Sequence, residues 1–151
     1  MTSTPDLLNH LAAHLGLTAL PLDEQGCCAL RVGDALVLNF RWLAEDERLV
    51  LFAVLGTLPM DGRAELMTEM LRGNRFGLGT AGATLSLDEQ SPPHVLLTER
   101  FDGRHTMPAA FVEAVEAFAD AARRWAARVD APPAAPAWVP PALPGAMPSF
   151  A

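Results

Sequence analysis

Apolar residues recur along this chain with two different periods, and the changes of period divide it into elements. Thr4-Pro5-Asp6 supplies a hydroxyl cap, a proline for the first turn and an acid for the positive end of a helix. Leu7, Leu8, Leu11 and Leu15 then follow at helical spacing, and Gly16 stops the helix. Three runs with strand character come next, 27–31, 35–42 and 48–55, joined by Val32-Gly33-Asp34 and by the charged turn Glu45-Asp46-Glu47. Short polar turns between such runs predict an antiparallel meander. In the second run Leu36, Leu38, Phe40 and Trp42 share one face, and Val37, Asn39 and Arg41 the other. The third run is apolar on both faces, with Leu49, Leu51, Ala53 and Leu55 opposite Val50, Phe52 and Val54. A second helix is expected over 59–71, ended by Gly73 and Asn74. A flexible glycine stretch 77–82, strands 83–87 and 94–101, and a long final helix capped by Thr106 follow. In that last helix Phe111, Val115, Phe118, Ala122, Trp125 and Val129 form one apolar seam, with acids early and arginines late, as the helix dipole favours.

The order α-β-β-β-α-β-β-α predicts an α+β fold of two layers with an antiparallel, twisted sheet. One domain is expected over 1–130. Beyond it the composition changes: seven of the residues from Ala131 to Ala151 are proline, and 131–151 reads as a flexible, partly polyproline tail.

Composition narrows the function. The formal charge is −7, and every cationic side chain apart from histidine is arginine. An acidic surface repels phosphate, so neither nucleic acid nor an anionic membrane is an expected partner. The longest apolar run, 48–58, is shorter than the roughly 20 residues of a membrane helix. The first residues lack the basic region and cleavage site of a signal peptide, so the cytoplasm is the expected compartment. The adjacent Cys27 and Cys28 cannot staple distant segments and read as two strand residues on opposite faces.

A search for chemistry finds little. The glycines of 77–82 lack the following lysine of a phosphate loop and come after a helix. His10 and His14 have metal-capable spacing, but no third ligand lies nearby and Leu11 stands where a metalloprotease would carry glutamate. No serine sits in a glycine elbow. No catalysis, no metal and no cofactor are expected. The positive signal is apolar surface, rich in leucine and methionine, beyond what three helices would cover.

Leu71, Asn74, Phe76, Gly77, Gly82, Leu85, Leu87 and Asp88, in the run 67–88, form a pattern of helix end, Asn, aromatic, glycines and a leucine-alternating strand closing on Asp. This run resembles the signature of the Tir-chaperone (CesT-like) family, the class I chaperones of type III secretion. The resemblance extends over about 4–130, including the 95–97 strand and the Trp125-bearing helix, and leaves the proline-rich tail outside.

The resemblance implies a homodimer that binds the N-terminal segment of a secreted effector, keeps it non-globular and aids its delivery, with a secretion ATPase or sorting components as further partners. It implies effector grooves around the first helix and the second and third strands, where the candidates are Leu7, Leu11, Leu36, Leu38, Phe40, Trp42, Leu49 and Leu51. For the dimer seam the candidates are Leu66, Met70 and Leu85. The alternative is a homodimeric adaptor or regulatory domain of this fold whose partner is folded.

Overall fold

The strand-like runs form one five-stranded antiparallel sheet in the computed structural model, which describes residues 3–131. The elements in chain order are α1 (Thr4–His14), β1 (Cys27–Val32), β2 (Leu36–Leu43), β3 (Arg48–Thr57), α2 (Arg63–Asn74), a single 3-10 turn (Arg75–Gly77), β4 (Thr84–Leu87), β5 (His94–Asp102) and α3 (Pro108–Asp130). The α+β class and the element order match the expectation. The sheet order is β1-β2-β3-β5-β4, so β1 and β4 are the two edges and the chain passes through α2 and β4 before β5 pairs with β3. The segment from 132 onward, expected to be a tail, lies outside the described residues.

All three helices lie on one face of the sheet. Strand residues Leu36, Leu38, Phe40, Leu49, Leu51, Ala53, Val95, Leu97 and Phe101 point toward them and are buried. From α3, Phe111, Val115, Phe118 and Ala122 meet this floor; Leu7, Leu8 and Leu11 of α1 fill the adjoining space. The Phe101 and Phe111 rings meet edge to face at 4.9 Å, and Phe40 lies 6.3 Å from Phe111. Each such buried side chain stabilises by about 1.5–3 kcal/mol over an exposed one, so this face holds the molecule together. Among the described residues the other face carries no helix.

Local signals decide the ends. Ser3, rather than Thr4, caps α1: its hydroxyl accepts from the Asp6 amide, and the Asp6 carboxylate accepts in return from the Ser3 amide at 3.0 Å. Thr4 is instead buried, beside Gly103. Thr106 does not cap α3 either; Met107 is the N-cap, without a side-chain bond, and Pro108 follows it. The second helix starts at Arg63 and runs through Gly73 and Asn74, both expected to end it. Between Val54 and Gly56 the β3–β5 register shifts, and Gly56, at φ +144°, brings its backbone under Val129 of α3.

Candidate functional site

The residues predicted to hold an effector lie mainly beneath the helices. Leu7, Leu11, Leu38, Leu49 and Leu51 have no exposed surface, and Phe40 and Leu36 are also buried. Trp42 is half-buried, with its ring 2.8 Å from the place where a Cβ on Gly103 would stand. The dimer candidates Leu66, Met70 and Leu85 are likewise buried in the single chain. These side chains form the core, because the most uniformly apolar positions are the ones the helices take. Several of their apolar neighbours stay partly or largely exposed.

Those neighbours gather in two places. The first is the free edge of β1. Cys28, Leu30 and Val32 pair with Phe40, Leu38 and Leu36, so they face the helices, yet each is only partly covered. A groove of about 360 Å³ runs here between α1, β1 and α3, with Leu11 and Leu38 as its floor and Leu15, Leu30, Val32 and Val115 along its sides. A larger groove of about 720 Å³ opens where the β1–β2 turn meets the last turns of α3, lined by Val32, Leu36, Leu55 and Val129. Thus Leu11, Leu36 and Leu38 reach these two grooves, as floor rather than as wall, and Trp42 lines a smaller one beside Arg41 and Glu45.

The second place is the end of α2 and the turn after it. Leu71, Phe76 and Leu78 are 73, 88 and 76% exposed, a concentration of large apolar side chains in water. Phe76 also holds a left-handed backbone, φ 55°, which is unfavourable for a bulky residue. The turn that presents it is tightly built. The Gly79 amide donates to the Gly73 carbonyl at 3.0 Å, and the Gly82 amide to the Gly77 carbonyl at 3.0 Å. A Cβ on Gly79 would stand 2.7 Å from Gly73 Cα, and one on Gly77 would stand 2.8 Å from Gly82 Cα. Trp125 covers Gly73 and donates from its indole to the Gly79 carbonyl at 2.9 Å. Asn74 clamps β4: its amide donates to the Leu85 carbonyl at 2.9 Å and its oxygen accepts from the Leu85 amide at 2.7 Å. The glycine stretch is therefore packed backbone against backbone, not the flexible connection its composition suggests.

Electrostatics reinforce the frame. Arg128 of α3 donates twice to Glu69 of α2, at 2.7 and 2.8 Å, and these bonds hold the Glu69 carboxyl below its usual range. His14, one of the pair with metal-capable spacing, bonds Glu116 of α3 at 2.7 Å, while His10 is exposed. Asp88 closes the β4–β5 turn by accepting from the His94 amide at 2.8 Å and facing the His94 ring at 2.6 Å; the amide bond leads in lowering its pKa. Glu99 is the exception. It faces the helices opposite Leu51, one of its carboxylate oxygens is buried without a partner, and burial raises its pKa to about 7.

Residues 6–126 match the model of the Tir chaperone protein (CesT) family. The chain belongs to the CesT family. A Chlamydia pneumoniae protein, CPj0713/CpB0740, is 34% identical over 121 residues, which cover 79% of this chain and 90% of that one. The fold of this CesT-family chain is similar to that in the HopA1–SchA chaperone–effector complex, with TM-score 0.64 and 21% identity over 80% of this chain and 90% of the other. It is similar, too, to the Yersinia pestis type III secretion chaperone SycH in complex with a fragment of YscM2, with TM-score 0.64 and 23% identity over 80% and 98% of the two chains. The matched region of the CesT-family chain includes both places described above apart from Val129 and its neighbours at the end of α3.

Leu30 and Val32 were missed as groove residues because edge-strand status is a property of the sheet, not of the strand. Leu71 and Phe76 carried a signal, since both belong to the run that resembles the family signature; Leu78 lies in the same run.

Proposed function

We propose that this chain is a type III secretion chaperone that binds the N-terminal segment of a secreted effector in the bacterial cytoplasm, keeps it non-globular and passes it to the secretion machinery, without catalysis. One observation carries this reading beyond family membership: the outer edge of β1, unpaired among the described residues, lies directly beside two grooves whose apolar linings are bordered by Asp34, Glu116, Asp120, Arg123 and Asp130. An extended segment added to β1 bonds through its backbone, which is tolerant of sequence. Every second side chain then enters the grooves beside Leu30 and Val32, which supply selectivity. The test is to recover the chain from its native host and map its bound partner by limited proteolysis. The expected result is a secreted protein protected over an N-terminal segment, with slowed hydrogen exchange at the β1 amides. A partner bound through a folded domain would favour the adaptor reading and overturn this one.

The same reading includes a homodimer. Leu71, Phe76 and Leu78 offer a second copy an apolar seat beside edge strand β4, one layer outside the buried Leu66, Met70 and Leu85. Light scattering should give about twice the 16.2 kDa chain mass. Phe76→Asp should give the single mass without unfolding, because Asp tolerates a left-handed backbone better than Phe does. A single mass for the unaltered chain at micromolar concentration would refute the dimer.

A further inference from the structure

The face of the sheet away from the helices has a composition unlike the rest of the molecule. Its outward positions include Arg31 on β1, Arg41 on β2, Arg48 on β3 and Arg100 on β5, all exposed. Among the described residues none of these four arginines forms an ion pair. Across the strands the rows read Arg41–Val50–Arg100 and Asn39–Phe52–Thr98–Thr84, and Val54 stands beside Leu96. Val50, Phe52 and Leu96 are only half-buried, and Val54 is 50% exposed. The one outward carboxylate on these strands, Asp102, pairs across with Arg48 at the end of the face and is engaged by the Arg104 and His105 amides of the following turn. A chain of net charge −7 thus carries a face with an apolar centre and a cationic rim.

We propose that this open face is a second docking surface, separate from the β1 groove, and that its occupant is an acidic polypeptide segment with interspersed apolar residues. Arg41 and Arg100 flank Val50 from neighbouring strands, so they stand about 10 Å apart at the usual strand spacing of about 4.8 Å. That spacing suits two carboxylates on either side of an apolar side chain seated over Val50 and Phe52. Arginine donates two parallel bonds to a carboxylate, and an apolar centre with a polar rim is the normal anatomy of a protein interface. A second copy of this face is a poor occupant, because it would set arginine against arginine. A long polyanion is also a poor one: beyond the patch it would meet the negative charge of the rest of the chain. A short segment meets the patch alone.

The experiment uses the full chain and three synthetic peptides in which Glu, Gln or Lys alternates with Leu and Val, with affinity read by fluorescence anisotropy. The Glu peptide should bind at least about tenfold more tightly than the Lys peptide, and the difference should shrink toward parity in about 1 M salt. Phe52→Asp should abolish binding. The pair Arg41→Glu and Arg100→Glu should reverse the preference, and Arg41→Gln with Arg100→Gln should erase it; unchanged circular dichroism and melting temperature would show that these variants are folded. Leu30→Asp, in the groove, should leave Glu-peptide binding intact, so the two surfaces can fail independently. Equal binding of the three peptides, no Glu-peptide binding at about 1 mM, or tighter binding of heparin or phosphatidylserine vesicles would overturn the proposal.

Discussion

One set of strands makes both faces of this sheet, and the faces have opposite characters. Toward the helices, β2 and β3 present Leu36, Leu38, Phe40, Leu49, Leu51 and Ala53, all buried. Away from them the same strands present Val37, Asn39, Arg41, Val50, Phe52 and Val54, each partly or fully exposed. On β2 and β3 the covered face is apolar, because an unpaired polar group there is destabilising; Glu99 of β5 is the exception. The open face mixes arginine, amide and apolar groups and so remains compatible with both water and a partner. Apolar purity marks the core; the mixed face is the one we propose as a docking surface.

The sharpest way to break this comparison is to place one carboxylate on each face. Leu38→Asp buries an unpaired charge at a position with no exposed surface and should destabilise by about 4 kcal/mol or more, leaving no cooperative unfolding transition. Phe52→Asp, on a neighbouring strand but facing outward, should shift stability by about 1 kcal/mol or less. Equal losses in urea titrations of the two variants would mean that the faces do not differ as described.

The next effect tests whether hidden polar bonds matter as much as apolar cover. Asn74→Ala removes both bonds to the Leu85 backbone and leaves a strand amide and carbonyl without partners. A loss of about 1–3 kcal/mol is expected. A change below about 0.5 kcal/mol in a urea titration would show that water replaces the clamp.

A smaller effect concerns Glu99, the one charged residue among the inward-facing strand positions. Burial raises its pKa from the ordinary 4.5 to about 7. Below pH 4.5 it is protonated both folded and unfolded, and nothing is lost. As pH rises from 4.5 to 7, only the unfolded chain gains by ionising, so stability falls; above 7 the full loss is present. Glu99→Gln should therefore stabilise by about 1 kcal/mol at pH 8, after allowing for water's access to a half-buried group, and change little at pH 4. A gain that is independent of pH would assign the effect to packing. Smallest of all, Arg41→Gln and Arg100→Gln should each move the melting midpoint by less than the equivalent of about 0.5 kcal/mol, since neither is ion-paired among the described residues.

Much of this was legible beforehand. Period-2 alternation in 36–42 and period-3.6 recurrence in α1 and α3 are local patterns, and they located most elements to within about two residues. The second helix was displaced by four residues at its start: Pro59 invited an early first turn, whereas the chain first closes a turn through Gly62 at φ +69°. Gly73 stayed helical because Trp125, distant in sequence, packs on it. Leu38 and Phe40 stood out as binding candidates for the same reason that they are buried: both follow the apolar alternation of their strand.

By itself, the sequence determined the order of the elements, the two unlike faces of β2, the resemblance of 67–88 to the CesT signature and the lack of a phosphate-loop lysine. These follow from short-range periodicity and from residue types that no fold can alter. Only the tertiary structure decided which strands are edges, which sheet face the helices cover and which apolar residues stay in water. Strand order depends on pairings between residues far apart along the chain, such as Leu49 with Phe101. The free edge of β1, the exposed Phe76 and the arginine-rimmed face exist only once those pairings are made, because exposure belongs to the assembled surface and not to any residue alone.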